Sequence, residues 1–182
     1  MWSSSRPFNS KAQEKRESDM SDTKNKLQTG DQAPDFTAQG NGGTDISLSD
    51  HKGKTTILYF YPKDNTPGCT AQACAFRDIL SDLQDINAHV IGVSKDSVKK
   101  HDNFIAKYDL NFPLISDEDG TLCDAYGVWK EKSMYGKTFM GIERTTFVID
   151  ENGIIRNIWR KVKVKSHITE ITEFLSNMKK AA

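Results

Sequence analysis

The chain has 182 residues, enough for one well-packed domain and a squeeze for two. Its 25 Lys and Arg balance 25 Asp and Glu, so the formal net charge is zero and nothing suggests nucleic acid as the main partner. No apolar run approaches the roughly 18 residues that span a bilayer, and three cysteines, an odd number, do not suggest a secreted disulfide framework; a soluble cytoplasmic protein is expected.

Residues 1–29 are polar and rich in Ser, Lys and Glu. Met1, Trp2, Phe8, Met20 and Leu27 are too sparse to build a core, so a disordered extension is expected there, followed by one domain over residues 30–182. The amino terminus lacks the apolar core of a secretory signal; its first dozen residues, free of acids, weakly resemble a transit peptide, and Met20 is an alternative start. Residues 33–36 read as an extended lead-in and residues 44–48 as a short edge strand. Residues 55–61, β-branched and aromatic, read as a central strand buried on both faces.

Residues 70–84 place Ala73, Phe76, Ile79, Leu80 and Leu83 on one helical stripe. A strand over 89–94 follows, then a helix marked by Val98, His101, Ile105 and Tyr108. A strand over 112–115 and a short helix over 120–126 come next. Residues 127–143 read as a long, glycine-bearing connection of the functional or mobile kind. Strands over 145–149 and 154–159 flank Asn152-Gly153, a hairpin signal, and Ser166 would cap a last helix carrying Ile168, Ile171, Phe174, Leu175 and Met178. Lys161, Lys163 and Lys165 alternate with valines as a charged strand edge would. Strands alternating with helices, closed by a hairpin and a helix, predict an α/β sandwich of thioredoxin type, a central mixed sheet flanked by helices.

The chemistry concentrates in residues 59–78, YFYPKDNTPGCTAQACAFRD. An apolar strand breaks at Pro62, turns through Thr66-Pro67-Gly68 and delivers Cys69 to a helix start, where unpaired N–H groups and the macrodipole favour a thiolate. An unperturbed thiol is about 3% ionised at pH 7, so complete ionisation multiplies the nucleophile only about thirty-fold. Donors aimed at the substrate must therefore matter more. The bland reading of Cys69, a small buried hydrophobe, sits poorly with this turn. For Cys123, on the short helix, a packing role is favoured. His51, His89, His101 and His167 show no metal-ligand spacing, and no phosphate loop or nucleotide fingerprint appears, so neither metal nor cofactor is expected.

Pro62-x-x-x-Thr66-x-x-Cys69 resembles the active-site signature of peroxiredoxins. Thr66-Pro67-Gly68-Cys69-Thr70, then Cys74 and Phe76-Arg77-Asp78, is similar to the bacterioferritin comigratory protein or PrxQ subfamily. The likeness runs from about Gly30 to the carboxyl end and includes Leu114-Ile115-Ser116-Asp117, Tyr126-Gly127-Val128-Trp129, Gly141-Ile142-Glu143-Arg144 and residues 159–165.

The resemblance implies a thiol peroxidase acting on hydrogen peroxide and organic hydroperoxides. Cys69 would be peroxidatic, Thr66 would hydrogen-bond thiolate or peroxide, Arg144 on a strand over 143–149 would stabilise developing charge, and Pro62 would shield the site. Cys74 would resolve the sulfenic acid as an intramolecular Cys69–Cys74 disulfide, with thioredoxin or glutaredoxin as reductant and a monomer as the unit. Five residues on an α-helix separate Cα atoms by roughly 8.7 Å, whereas a disulfide needs under about 7 Å; the helix start must unwind for that bond to form. A thiol–disulfide oxidoreductase, or a redox sensor or holdase, are the alternative functions, although the usual Cys-x-x-Cys is absent.

Overall fold

The computed structural model describes residues 26–181. The disordered extension expected over residues 1–29 falls mostly outside that range. At its described end, Leu27 packs against the core and its carbonyl accepts from Arg160 Nη2 at 3.2 Å, so contacts with the domain begin before Gly30.

The frame is a five-stranded mixed sheet, ordered β5-β4-β3-β8-β9. Central β3 (Thr55–Phe60) pairs parallel with β4 (Ala88–Ser94), which pairs parallel with β5 (Leu114–Ser116). On its other side β3 pairs antiparallel with β8 (Thr145–Ile149), and β8 with β9 (Ile155–Trp159). Residues 57–61 are at most 1% exposed, which fits their unbroken apolar run.

Alternation splits β3 between two cores. Ile57, Tyr59 and Tyr61 face helices α1 (Pro67–Asp85), α2 (Val98–Tyr108) and α4 (Val164–Lys180), meeting Phe76, Leu83, Phe104, Ile171 and Leu175. Leu58 and Phe60 face Leu122, Cys123, Tyr126 and Phe147, with short α3 (Thr121–Ala125) on that side. Among the described residues no helix is long and apolar enough to cross a membrane.

Four expectations need correction. The edge strand expected over 44–48 is β2 (Asp45–Ser47), which pairs with β1 (Thr37–Gln39) in a separate two-stranded sheet, while Leu48 enters a 3-10 turn. The long connection expected over 127–143 is mostly a hairpin, β6 (Trp129–Met134) with β7 (Lys137–Ile142). Its two-residue turn, Tyr135-Gly136, has φ of 51° and 74°, the geometry that matches strand twist. Because few of its residues are buried, its sequence lacks the apolar alternation that marks a half-buried strand. The charged strand edge expected at Lys161, Lys163 and Lys165 does not form: β9 ends at Trp159, Lys161 adopts φ 49°, and Lys165 is already helical. Ser166 is inside the first turn of α4, donating to Glu170 Oε1 at 2.7 Å, and Lys163 stands at the cap.

Candidate active site

Tyr61 continues the β3–β4 pairing through its N–H to the Val93 carbonyl, and Pro62, which has no N–H to donate, follows it. The turn is carried by Asn65 at φ 60°, a left-handed position that Asn tolerates. Thr66 is the cap residue of α1, with Pro67 opening the helix and Gly68 and Cys69 completing its first three positions. This puts the Cys69 sulfur, on a side chain only 2% exposed, at the helix end whose N–H groups are unpaired.

Arg144 reaches the same point from the other side of the chain. It lies in the two-residue link between β7 and β8, one residue before the strand expected to carry it, and its carbonyl accepts from Val162 N at 3.0 Å. Its Nη2 donates to Cys69 Sγ at 3.3 Å and its Nη1 to Gln72 Oε1 at 2.6 Å. Gly68 makes room: a Cβ there would lie 3.3 Å from Arg144 Nη2. The guanidinium is thus fixed by a fork across one helical turn, Cys69 and Gln72 being three residues apart.

Thr66 borders the same turn. Its hydroxyl donates to the Lys63 carbonyl at 2.9 Å, which leaves oxygen lone pairs to accept from an incoming O–H. Pro62 is exposed at the end of β3. Cys74 is half-buried on the same unbroken helix as Cys69, and both thiols are free. Cys123 sits apart, buried beside α3; burial above all, then the Asp117 carboxylate, pushes its thiol far up. The packing expectation for Cys123 agrees with this position.

Sequence reasoning missed the supporting residues. Gln72 is 1% exposed, and its Nε2 and the Tyr59 hydroxyl are, among the described residues, the buried side-chain polar atoms without a partner. The Tyr59 phenol is pushed well up by burial first and by Cys69 and Asp64 next, so it stays a neutral donor. Behind the turn, Asp64 accepts from the Tyr61 hydroxyl at 2.6 Å and contacts His101 Nδ1 at 2.7 Å, while its N–H donates to Asp96 Oδ2 at 2.8 Å. His101 Nε2 donates to the Ile115 carbonyl at 2.9 Å. A histidine on the apolar stripe of α2 was the available signal, since a fully buried imidazole must find partners. His167, buried against Phe76 and Trp159, meets Thr146 Oγ1 at 2.7 Å, and burial pushes it down to about 4.

The AhpC/TSA family profile matches residues 29–158. Peroxiredoxin Bcp of Bacillus subtilis is 48% identical over 152 residues, covering 84% of this chain and 97% of that protein. PrxQ of Xylella fastidiosa superposes with a TM-score of 0.78 at 43% identity, covering 85% of this chain and 97% of that one. The bacterioferritin comigratory protein of Xanthomonas campestris, solved in a study of its alkyl peroxide reduction activity, gives 0.75 at 45% identity, covering 79% and 91%. The profile match spans the turn carrying Cys69 and all of the central sheet but the last residue of β9. The chain belongs to the AhpC/TSA family, and within it to the peroxiredoxins of the Bcp/PrxQ type.

Proposed function

We propose that the chain is a thiol peroxidase in which Cys69 attacks hydrogen peroxide and organic hydroperoxides. The observation that carries the reading is the Arg144 fork, which holds one guanidinium N–H on Cys69 Sγ and ties the other to Gln72. A donor so placed meets the sulfur before reaction and the charge spreading over the O–O bond during it. The Cys69 sulfur attacks one peroxide oxygen, the O–O bond breaks, and the departing oxygen leaves with a proton as water or alcohol. Sulfur is oxidised to sulfenic acid and the peroxide is reduced. Thr66 accepts from the peroxide O–H, holding it in line, and Pro62 closes one side of the approach.

Cys74 then attacks the sulfenic sulfur, water leaves, and the Cys69–Cys74 disulfide forms. Thioredoxin, with glutaredoxin as the other candidate, returns two electrons. An intramolecular bond requires no second subunit, so the working unit is a monomer.

Coupled consumption of NADPH with thioredoxin and its reductase tests the whole cycle. Peroxide-dependent turnover should vanish in Cys69→Ser. In Cys74→Ser a single rapid peroxide reaction should remain without recycling. Insulin reduction without peroxide would replace this reading with a disulfide oxidoreductase, and one oxidation without turnover would replace it with a sensor.

A further inference from the structure

The exposed large apolar side chains among the described residues all lie in one place, the β6–β7 hairpin. Met134 is 57% exposed, Tyr135 97%, Phe139 43% and Met140 50%. The hairpin forms its own two-stranded sheet, so neither edge joins the central one. Directly paired residues share a face. Pairing of Lys130 with Gly141, Lys132 with Phe139 and Met134 with Lys137 therefore sets three lysines, Phe139 and Met134 on one side. On the other, Ile142 is buried and Trp129 lies under Lys95 Nζ at 4.2 Å, which fixes the base to the body.

This face begins at the reactive centre. Arg144 follows β7 by two residues. Half-buried Lys132 is lowered in its titration by burial first and Arg144 second, with Cys69 pulling it back up. From that base to the tip the hairpin extends about 17 Å. A small hydroperoxide held at Cys69 does not reach so far, and small ligands take concave sites rather than projecting ribbons. Proteins do take such surfaces, through aromatic and methionine side chains ringed by charge.

We infer that the lysine-bearing face of the β6–β7 hairpin is the docking surface for an acidic protein carrying an exposed dithiol, the reductant of the Cys69–Cys74 disulfide. The inference rests on the peroxidase reading above. That protein must bring a thiolate to Cys69 or Cys74, and Arg144, two residues past the hairpin, already touches Cys69 Sγ; the incoming protein's acidic rim complements Lys130, Lys132 and Lys137. The incoming thiolate attacks one sulfur of the disulfide, and the other cysteine leaves as thiolate. The partner's second thiol then breaks the mixed disulfide, so two electrons pass and the partner ends oxidised.

The test compares two reductants on the full chain. Wild type, Lys137→Glu and the triple variant Met134→Ser/Tyr135→Ser/Phe139→Ser are assayed with hydrogen peroxide, using either thioredoxin or dithiothreitol. The readout is the ratio of thioredoxin-supported kcat/KM to the dithiothreitol-supported rate. The triple variant should lower it about tenfold. Lys137→Glu should lower it about threefold at low salt, with the difference shrinking as salt is added.

A ratio equal to wild type in both variants overturns the docking surface. So does a raised KM for cumene hydroperoxide with thioredoxin kinetics untouched, which would make the patch a substrate site. A dimer or binding to anionic vesicles that the triple variant abolishes, with the ratio unchanged, assigns the face to another occupant and overturns it equally. Absence of wild-type turnover even with dithiothreitol would instead remove the peroxidase reading.

Discussion

Gln72 stands one helical turn beyond Cys69, and its amide has two ends with different duties. Oε1 takes Arg144 Nη1 at 2.6 Å, and buried Nε2 has no partner among the described residues. A hydrogen bond to a charged group contributes about 1.5–3 kcal/mol. Gln72→Leu, which keeps the volume and removes the acceptor, should therefore lower kcat/KM for hydrogen peroxide by about tenfold or more. Gln72→Glu keeps the acceptor and removes the donor. Activity within about threefold of wild type in Gln72→Glu means that Gln72 works by positioning Arg144. Equal losses in both would show that the amide itself donates to the peroxide, and wild-type rates in Gln72→Leu would dismiss the residue. Cys69 was legible in the sequence because turn chemistry and helix start are local. Arg144 entered through resemblance alone, since its contact with Cys69 joins residues 75 apart. Gln72 was hidden by its position, a polar residue among the apolar ones of an amphipathic helix.

Helix α1 both presents Cys69 and separates it from Cys74. One unbroken helix keeps those Cα atoms roughly 8.7 Å apart, beyond the reach of a disulfide. The preceding turn is anchored elsewhere, through Asp64 to His101, Tyr61 and Asp96, and through His101 to β5. Oxidation should accordingly unwind residues 67–78 while residues 61–65 stay fixed, so that the helix opens against a stationary turn. Hydrogen exchange of reduced and oxidised protein checks this: protection should fall over 67–78 and persist at the Tyr61 and Asp64 amides. Equal protection over 67–78 in both states would exclude unwinding, and loss spreading through 61–65 would exclude the anchor. The elements that the sequence made visible are those with one wet and one dry face, or none wet, such as α1, α2 and β3. The β6–β7 hairpin was not, because its side chains are mostly exposed and local periodicity then carries no burial pattern.

At the scale of the whole molecule, alternating strands and helices were enough to predict the mixed sheet and its flanking helices. The pairing of β1 with β2 outside that sheet was not legible, since three-residue strands leave little pattern. Nor was the way α4 closes the structure. His167 on α4 contacts Thr146 on β8 and stacks edge-on against Trp159 and Phe76, joining helix, sheet and α1 around an imidazole that burial lowers to about 4. In the unfolded chain the same group titrates near 6.5. Above pH 6.5 both states hold it neutral and it adds no pH dependence. Between about 6.5 and 4 the unfolded state binds a proton that the native state refuses, so stability falls as pH falls. The loss reaches about 2 kcal/mol between pH 7.5 and 5 and about 3 kcal/mol below pH 4. His167→Gln, able to keep a hydrogen bond to Thr146, removes that titration. Urea midpoints at pH 7.5 and 5 should therefore lie closer together in the variant than in the parent, by roughly the same 2 kcal/mol after conversion through m. An identical separation in both proteins would show that His167 is already protonated in the native state at pH 5, and that its burial between α4 and β8 does not govern the acid limb of stability.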